Sequence, residues 1–171
     1  LGLSSAIENI KKWNGSWRID SKARVGTTVR VSLPLADENL LLPTQIFVEP
    51  DTEVIVADDD PLYLQLYKEK LAGKAFKNAS IRIRAFSKMT DVEIHMRKMV
   101  ATGKRFLLIT DNDYGSERFG LNLVSDLGIE SHSVVISSNG TSQRFLAECA
   151  EKSILSISKS VAELVQFRPA T

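Results

Sequence analysis

The sequence predicts an α/β chain: a doubly wound parallel sheet of five strands, preceded by a small helix-plus-hairpin unit. Three observations lead there. After residue 53, short apolar or β-branched runs alternate with helix-period stretches, a pattern that builds a parallel sheet with helices on both faces. Before residue 36 the order is instead one helix and then two alternating strands. Between the two lies a segment with Pro43, Pro50 and no clear period. The 171 residues suit one typical domain with room for a second small one.

In chain order, Leu3, Ile7 and Ile10 recur at helical spacing and predict a helix over 3–13. Asn14-Gly15 ends it, glycine there tolerating a left-handed turn. Trp17 and Ile19, then Val29, Val31 and Leu33, alternate with polar residues around a turn at Gly26, which predicts an antiparallel hairpin. One helix and two strands bury no core of their own, so this piece, residues 1–35, is expected to pack on another surface or a second chain, a homodimer being one way to do so. Residues 36–52 are read as a linker whose Leu40-Leu41-Leu42 and Ile46-Phe47-Val48 pack on something. From 53 to 171 the strands are read as 54–57, 81–85, 106–110, 133–137 and 154–157. The helices are read as 61–72, 89–102, 118–127, 141–150 and 160–167.

Composition narrows the function classes. With 22 basic and 21 acidic residues the net charge is +1, which argues against an electrostatic grip on nucleic acid. Apolar runs reach only about five residues, too short to span a bilayer, so no membrane span is expected in this chain. The N-terminus carries neither a signal peptide nor an initiating Met, as expected of a fragment of something longer. Cys149 is the one cysteine, which suits a reducing, cytoplasmic compartment, compatible with a membrane-anchored parent protein. With His95 and His132 it makes no zinc spacing. Cys149 reads as core and His95 as a surface or half-buried helix residue.

In doubly wound sheets ligands bind beyond the carboxyl ends of the strands. Those ends carry Asp58-Asp59-Asp60-Pro61, Asp111-Asn112-Asp113, Ser137-Ser138-Asn139-Gly140 and Lys159. Crowded carboxylates repel one another unless a cation neutralises them. An all-oxygen set of this kind suits Mg²⁺, which binds one or two carboxylates plus a phosphate. Asp111 is then a candidate nucleophile that would form an acyl phosphate. Lys159 would be a compact charge on a phosphoryl oxygen, and the Ser137 hydroxyl a donor to another. Asp60, just before Pro61, reads as a helix cap instead.

These residues resemble a known family. Val54-Ile55-Val56-Ala57-Asp58-Asp59-Asp60-Pro61 looks like the first strand and acidic pocket of response-regulator receiver domains. Phe106-Leu107-Leu108-Ile109-Thr110-Asp111 resembles their third strand, Val134-Val135-Ile136-Ser137 the fourth, and Ile154-Leu155-Ser156-Ile157-Ser158-Lys159 the fifth. The resemblance implies the flavodoxin-like receiver fold, Asp58 and Asp59 as Mg²⁺ ligands, Asp111 as phosphoacceptor, and the backbone of Asp113 near the metal. It implies a histidine kinase or histidine phosphotransfer domain as partner. The first 35 residues resemble the end of a histidine-kinase ATP-binding domain, through Leu1-Gly2-Leu3-Ser4, Asn14-Gly15-Ser16-Trp17 and the hairpin from Gly26 to Leu35. Kinase tail followed by receiver is the order of a hybrid sensor histidine kinase. The ATP-binding boxes are absent, so the chain is not expected to bind ATP, and its only expected catalysis is its own phosphorylation. Ser160 stands where the family usually has Pro, Gly115 replaces another common Pro, and Ser156 stands where an aromatic switch residue is common. The stretch 72–105 is longer than usual and the final helix short. Ser156 and the Lys159-Ser160 pair motivate an alternative, a pseudo-receiver that only docks or dimerises. A further alternative is a phosphohydrolase of the haloacid-dehalogenase type, with Asp111 and Asp113 as nucleophile and acid.

Overall fold

The structure is a computed structural model that describes residues 2–34, 45–114 and 117–170. The chain divides into two compact units, Leu1–Leu41 and Leu42–Thr171.

The first unit holds α1 (Gly2–Lys12) and the antiparallel strands β1 (Ser16–Lys22) and β2 (Gly26–Ser32). Trp17 pairs with Val31 and Ile19 with Val29, as strict alternation requires. The helix ends differently from expectation. Asn14, not Gly15, takes the left-handed backbone, at φ 55°. Gly15 is needed for space: a Cβ there would lie 2.8 Å from the Ser32 carbonyl oxygen. Val29, Val31 and Leu33 remain exposed.

In the second unit, β3 (Gln45–Val48) and β4 (Glu53–Ala57) lead into α2 (Pro61–Leu71), the short α3 (Lys74–Asn78) and β5 (Arg82–Phe86). Next come α4 (Met89–Thr102), β6 (Phe106–Asp111) and a two-residue hairpin, β7 (Asp113–Tyr114) with β8 (Glu117–Arg118). The chain finishes with α5 (Gly120–Leu127), β9 (Ser133–Ser137), α6 (Gln143–Glu151), β10 (Leu155–Ser158) and β11 (Gln166–Pro169). Five of the strands form an all-parallel sheet in the order β10-β9-β6-β4-β5. Winding reverses between β4 and β6, so the crevice expected of such sheets opens at their carboxyl ends.

The central strands β4, β6 and β9 alternate between two cores. Ile55, Leu108 and Val135 pack with Val92 and Met96 of α4, Val124 of α5 and Phe145 and Cys149 of α6. Val54, Val56, Ile109 and Ile136 pack on the other face with Tyr67 and Leu71 of α2, Phe76 of α3, and Ile46, Val48, Val165 and Phe167. Cys149 is thus core, as its setting suggested.

Two segments depart from expectation. The helix read over 160–167 is absent. A single 3-10 turn, Lys159–Val161, follows β10, and β11 then pairs in parallel with β3. Leu164, half of the evidence for that helix, is 73% exposed, while Val165 and Phe167 are buried at strand spacing. Within the segment read as a linker, Gln45–Val48 is therefore a strand, with Ile46 and Val48 inside and Phe47 outside. Leu40-Leu41-Leu42 and Gly115 lie outside the described residues. The extra length of 72–105 holds α3.

Candidate functional site

The carboxyl ends of β4 and β6 lie side by side, because Ala57 pairs with Thr110. The next residues, Asp58 and Asp111, are therefore neighbours. Both are only 2% exposed. Continuing outward, Asp111 pairs with Ile136 of β9, and Ser137 at the end of β9 pairs with Ser158, the residue before Lys159. Parallel register alone thus brings four strand ends into one crevice.

Lys159 closes the group. Its Nζ donates to Asp111 Oδ2 at 2.8 Å and lies 3.1 Å from Asp58 Oδ2 and 3.2 Å from Asp58 Oδ1. The ammonium also sits 4.5 Å from the centre of the Tyr63 ring, a cation–π contact from the first turn of α2. Oxygens of Asp58, Asp59 and Asp111 come within 4.8 Å of one another. Asp59 is exposed. Asp60 caps α2, accepting from the Leu62 amide at 2.8 Å, while its own N–H donates to Asp58 Oδ1 at 2.9 Å.

The charges do not balance. Burial, and then repulsion from Asp111, push the Asp58 carboxyl up from 3.8 to about 6, against the Asp60 N–H and Lys159. Burial also raises Asp111 despite its bond to Lys159. Burial alone would lower Lys159, but Asp111 and Asp58 outweigh it and hold its ammonium above the usual range. Asp111 Oδ1 is buried without a hydrogen-bond partner among the described residues. An orphaned carboxylate oxygen beside two more carboxylates fits a hard divalent cation such as Mg²⁺.

Ser137 and Asp113 sit beside this trio in an arrangement the sequence did not suggest. The Ser137 hydroxyl donates to Asp113 Oδ2 at 2.9 Å and accepts from the Asn139 amide at 3.0 Å. Asp113, for which the receiver resemblance implied only a backbone role, uses its side chain as well. Two glycines to which the sequence reading gave no role also shape the crevice. A Cβ on Gly120 would lie 2.5 Å from the Asp111 carbonyl oxygen, and one on Gly140 2.5 Å from the Ser158 Cα. Both admit close backbone approach around the crevice. Tyr63 was missed as well. His95 lies elsewhere: its Nε2 is 2.8 Å from Oε1 of Glu53, at the opposite end of β4.

No protein-family model matches the chain, and no curated protein matches it. Solved structures do. The phosphorylated cyanobacterial phytochrome response regulator RcpA matches with a TM-score of 0.52 at 16% identity, covering 66% of this chain and 83% of RcpA. The isolated receiver domain of RcsB from Salmonella enterica serovar Typhimurium, with a phosphomimetic, gives 0.49 at 20% identity, covering 66% and 80%. The Vibrio cholerae chemotaxis protein CheY4 gives 0.47 at 16%, covering 63% and 86%. The second unit has the flavodoxin-like receiver fold. At these identities the likeness is one of fold, and the strand order β5-β4-β6-β9-β10 is its core. Among the described residues no helix of this receiver-fold chain is long and apolar enough to cross a membrane.

Proposed function

We propose that this chain works in a two-component phosphorelay, its receiver unit taking a phosphoryl group from a phosphohistidine onto Asp111. The observation that supports this most is the buried Asp111 carboxylate, held at 2.8 Å by Lys159, with its second oxygen unpartnered among the described residues and Asp58 and Asp59 alongside. Asp58, Asp59 and Asp111, with the backbone of Asp113, would hold Mg²⁺. The ion would supply positive charge that offsets the carboxylates and the oxygens of the transferring group.

The remaining chemistry belongs to the chain. A carboxylate oxygen of Asp111 attacks phosphorus in line; the P–N bond to the donor imidazole breaks, the P–O bond of an acyl phosphate forms, and the imidazole leaves and takes up a proton. Lys159, freed from Asp111 as that charge is consumed, remains as a fixed ammonium for a phosphoryl oxygen. Ser137 donates to another. The donor is a histidine kinase or a histidine phosphotransfer domain. Residues 1–35 are read as the end of a kinase ATP-binding domain, and 53–171, joined by strand β3, as the receiver of a hybrid kinase.

Incubation with acetyl phosphate and Mg²⁺, followed by intact mass, tests this. The expected result is a gain of one phosphate that Asp111→Asn abolishes. No gain, or a gain that survives Asp111→Asn, overturns the proposal.

A further inference from the structure

A hydroxyl has one proton to donate. Ser137 is fully buried at the end of β9, and its proton goes to Asp113 Oδ2 at 2.9 Å. While that bond stands, Ser137 cannot donate to a phosphoryl oxygen. The acceptor is itself held. Asn112 Nδ2 donates to the other oxygen of Asp113 at 3.1 Å, and the Asn112 Oδ1 accepts from the Leu121 amide of α5 at 3.2 Å. The Asp113 backbone is pinned by pairing with Arg118 across the β7–β8 hairpin.

We propose that Asp113 is a positioning residue that latches Ser137 away from the phosphoryl site and so sets how readily the site loads. The inference rests on the phosphoacceptor reading of Asp111. Two penalties act together. Loading must break a hydrogen bond to a charged acceptor, which is stronger than a neutral one. It must also leave the freed Asp113 carboxylate beside a phosphoryl group of the same sign, and that carboxylate already adds to the negative field at Asp111. Asp113 thus opposes the loaded state by holding the Ser137 hydroxyl and by its own charge.

The test is calorimetric titration of the full chain with beryllofluoride in the presence of Mg²⁺. Removing a charge-assisted bond that competes with the ligand predicts that Asp113→Ala binds on the order of tenfold tighter. Asp113→Asn, which keeps the shape and an acceptor oxygen but not the charge, falls between. In a Ser137→Ala background the gain from Asp113→Ala shrinks to the part due to charge alone. Asp113→Ala binding no tighter than wild type, or gaining equally with and without Ser137, overturns the latch. Should Asp113→Ala fail to fold, Asp113→Asn decides: no tightening overturns it. Binding that Asp111→Asn abolishes but both Asp113 variants leave unchanged sinks the latch alone. No binding by the wild type sinks the phosphoacceptor reading and the latch with it.

Discussion

Strand β4 carries a buried carboxylate at each end, and the two ends solve the same problem differently. At its start, Glu53 Oε1 meets Arg84 Nε at 2.9 Å and His95 Nε2 at 2.8 Å, with the His95 ring packed 5.1 Å from that of Phe86. Just past its other end, Asp58 shares one ammonium with Asp111 and stands beside Asp59. Burial pushes both carboxyls up. At Glu53 the hydrogen bond and charge of His95, with Arg84, outweigh that burial and hold the carboxyl below the usual range. At Asp58 nothing outweighs it. The ratio of acids to bases, not burial itself, decides the sign. The end with bases in excess is complete as it stands. The acid-rich end is destabilised by its own charges, which is the usual mark of a site shaped for something other than stability.

The largest consequence is in metal binding. Asp59→Ala should weaken Mg²⁺ binding by more than about 100-fold, since even an outer-shell partner is worth about 10- to 100-fold in metal sites. Glu53→Gln should leave it unchanged. Titration of the full chain with Mg²⁺ checks both; equal losses at the two ends would erase the distinction between them.

Next in size is folding stability, where the two ends should differ in sign. Glu53→Gln keeps an acceptor oxygen but removes the charge that strengthens both bonds to Arg84 and His95, and should destabilise by about 1–2 kcal/mol. Asp58→Asn removes an ionised group that the fold disfavours, and should stabilise the metal-free protein at pH 7 by about 1–2 kcal/mol. Urea midpoints without divalent ions measure both. A destabilised Asp58→Asn would mean that its bonds to Lys159 and the Asp60 amide outweigh the crowding.

The sequence made one of these ends legible and not the other. Asp58, Asp111, Ser137 and Lys159 each follow an apolar run, and a parallel sheet brings the ends of such runs together whatever their separation in the chain. The middle of the main sheet was legible for the same reason, β4, β6 and β9 being near-continuous apolar or β-branched runs that are largely buried. Glu53 and His95 carry no such signal. One opens a strand and the other lies mid-helix, and only the packing of α4 on the sheet joins them. The β3–β11 pair was hidden because four-residue strands leave too few alternations to separate from a helix, as Val161, Leu164 and Val165 illustrate. The Ser137–Asp113 bond was invisible because a two-residue hairpin aims it, and no periodicity reports a hairpin that short.

The smallest effect is the pH dependence, and its direction separates the two ends most cleanly. Asp58 has a folded-state value near 6 against 3.8 when free. Between those values the folded chain binds more protons than the unfolded one, so this group's contribution makes stability fall as pH rises from 3.8 to about 6. Glu53 runs the other way. Its carboxyl is lowered in the fold, so its contribution is present above the ordinary value of 4.5 and is lost as pH falls through the lowered one. Subtracting the stability profile of Asp58→Asn from that of the wild type should therefore leave a curve that descends through pH 4–6. The same subtraction with Glu53→Gln should leave one that climbs below pH 4.5. Saturating Mg²⁺ should flatten the first curve, because an ion held by Asp58 favours the charged form that burial opposes, and should leave the second untouched. Two curves of the same slope would mean that the neighbours of these carboxylates do not set their protonation.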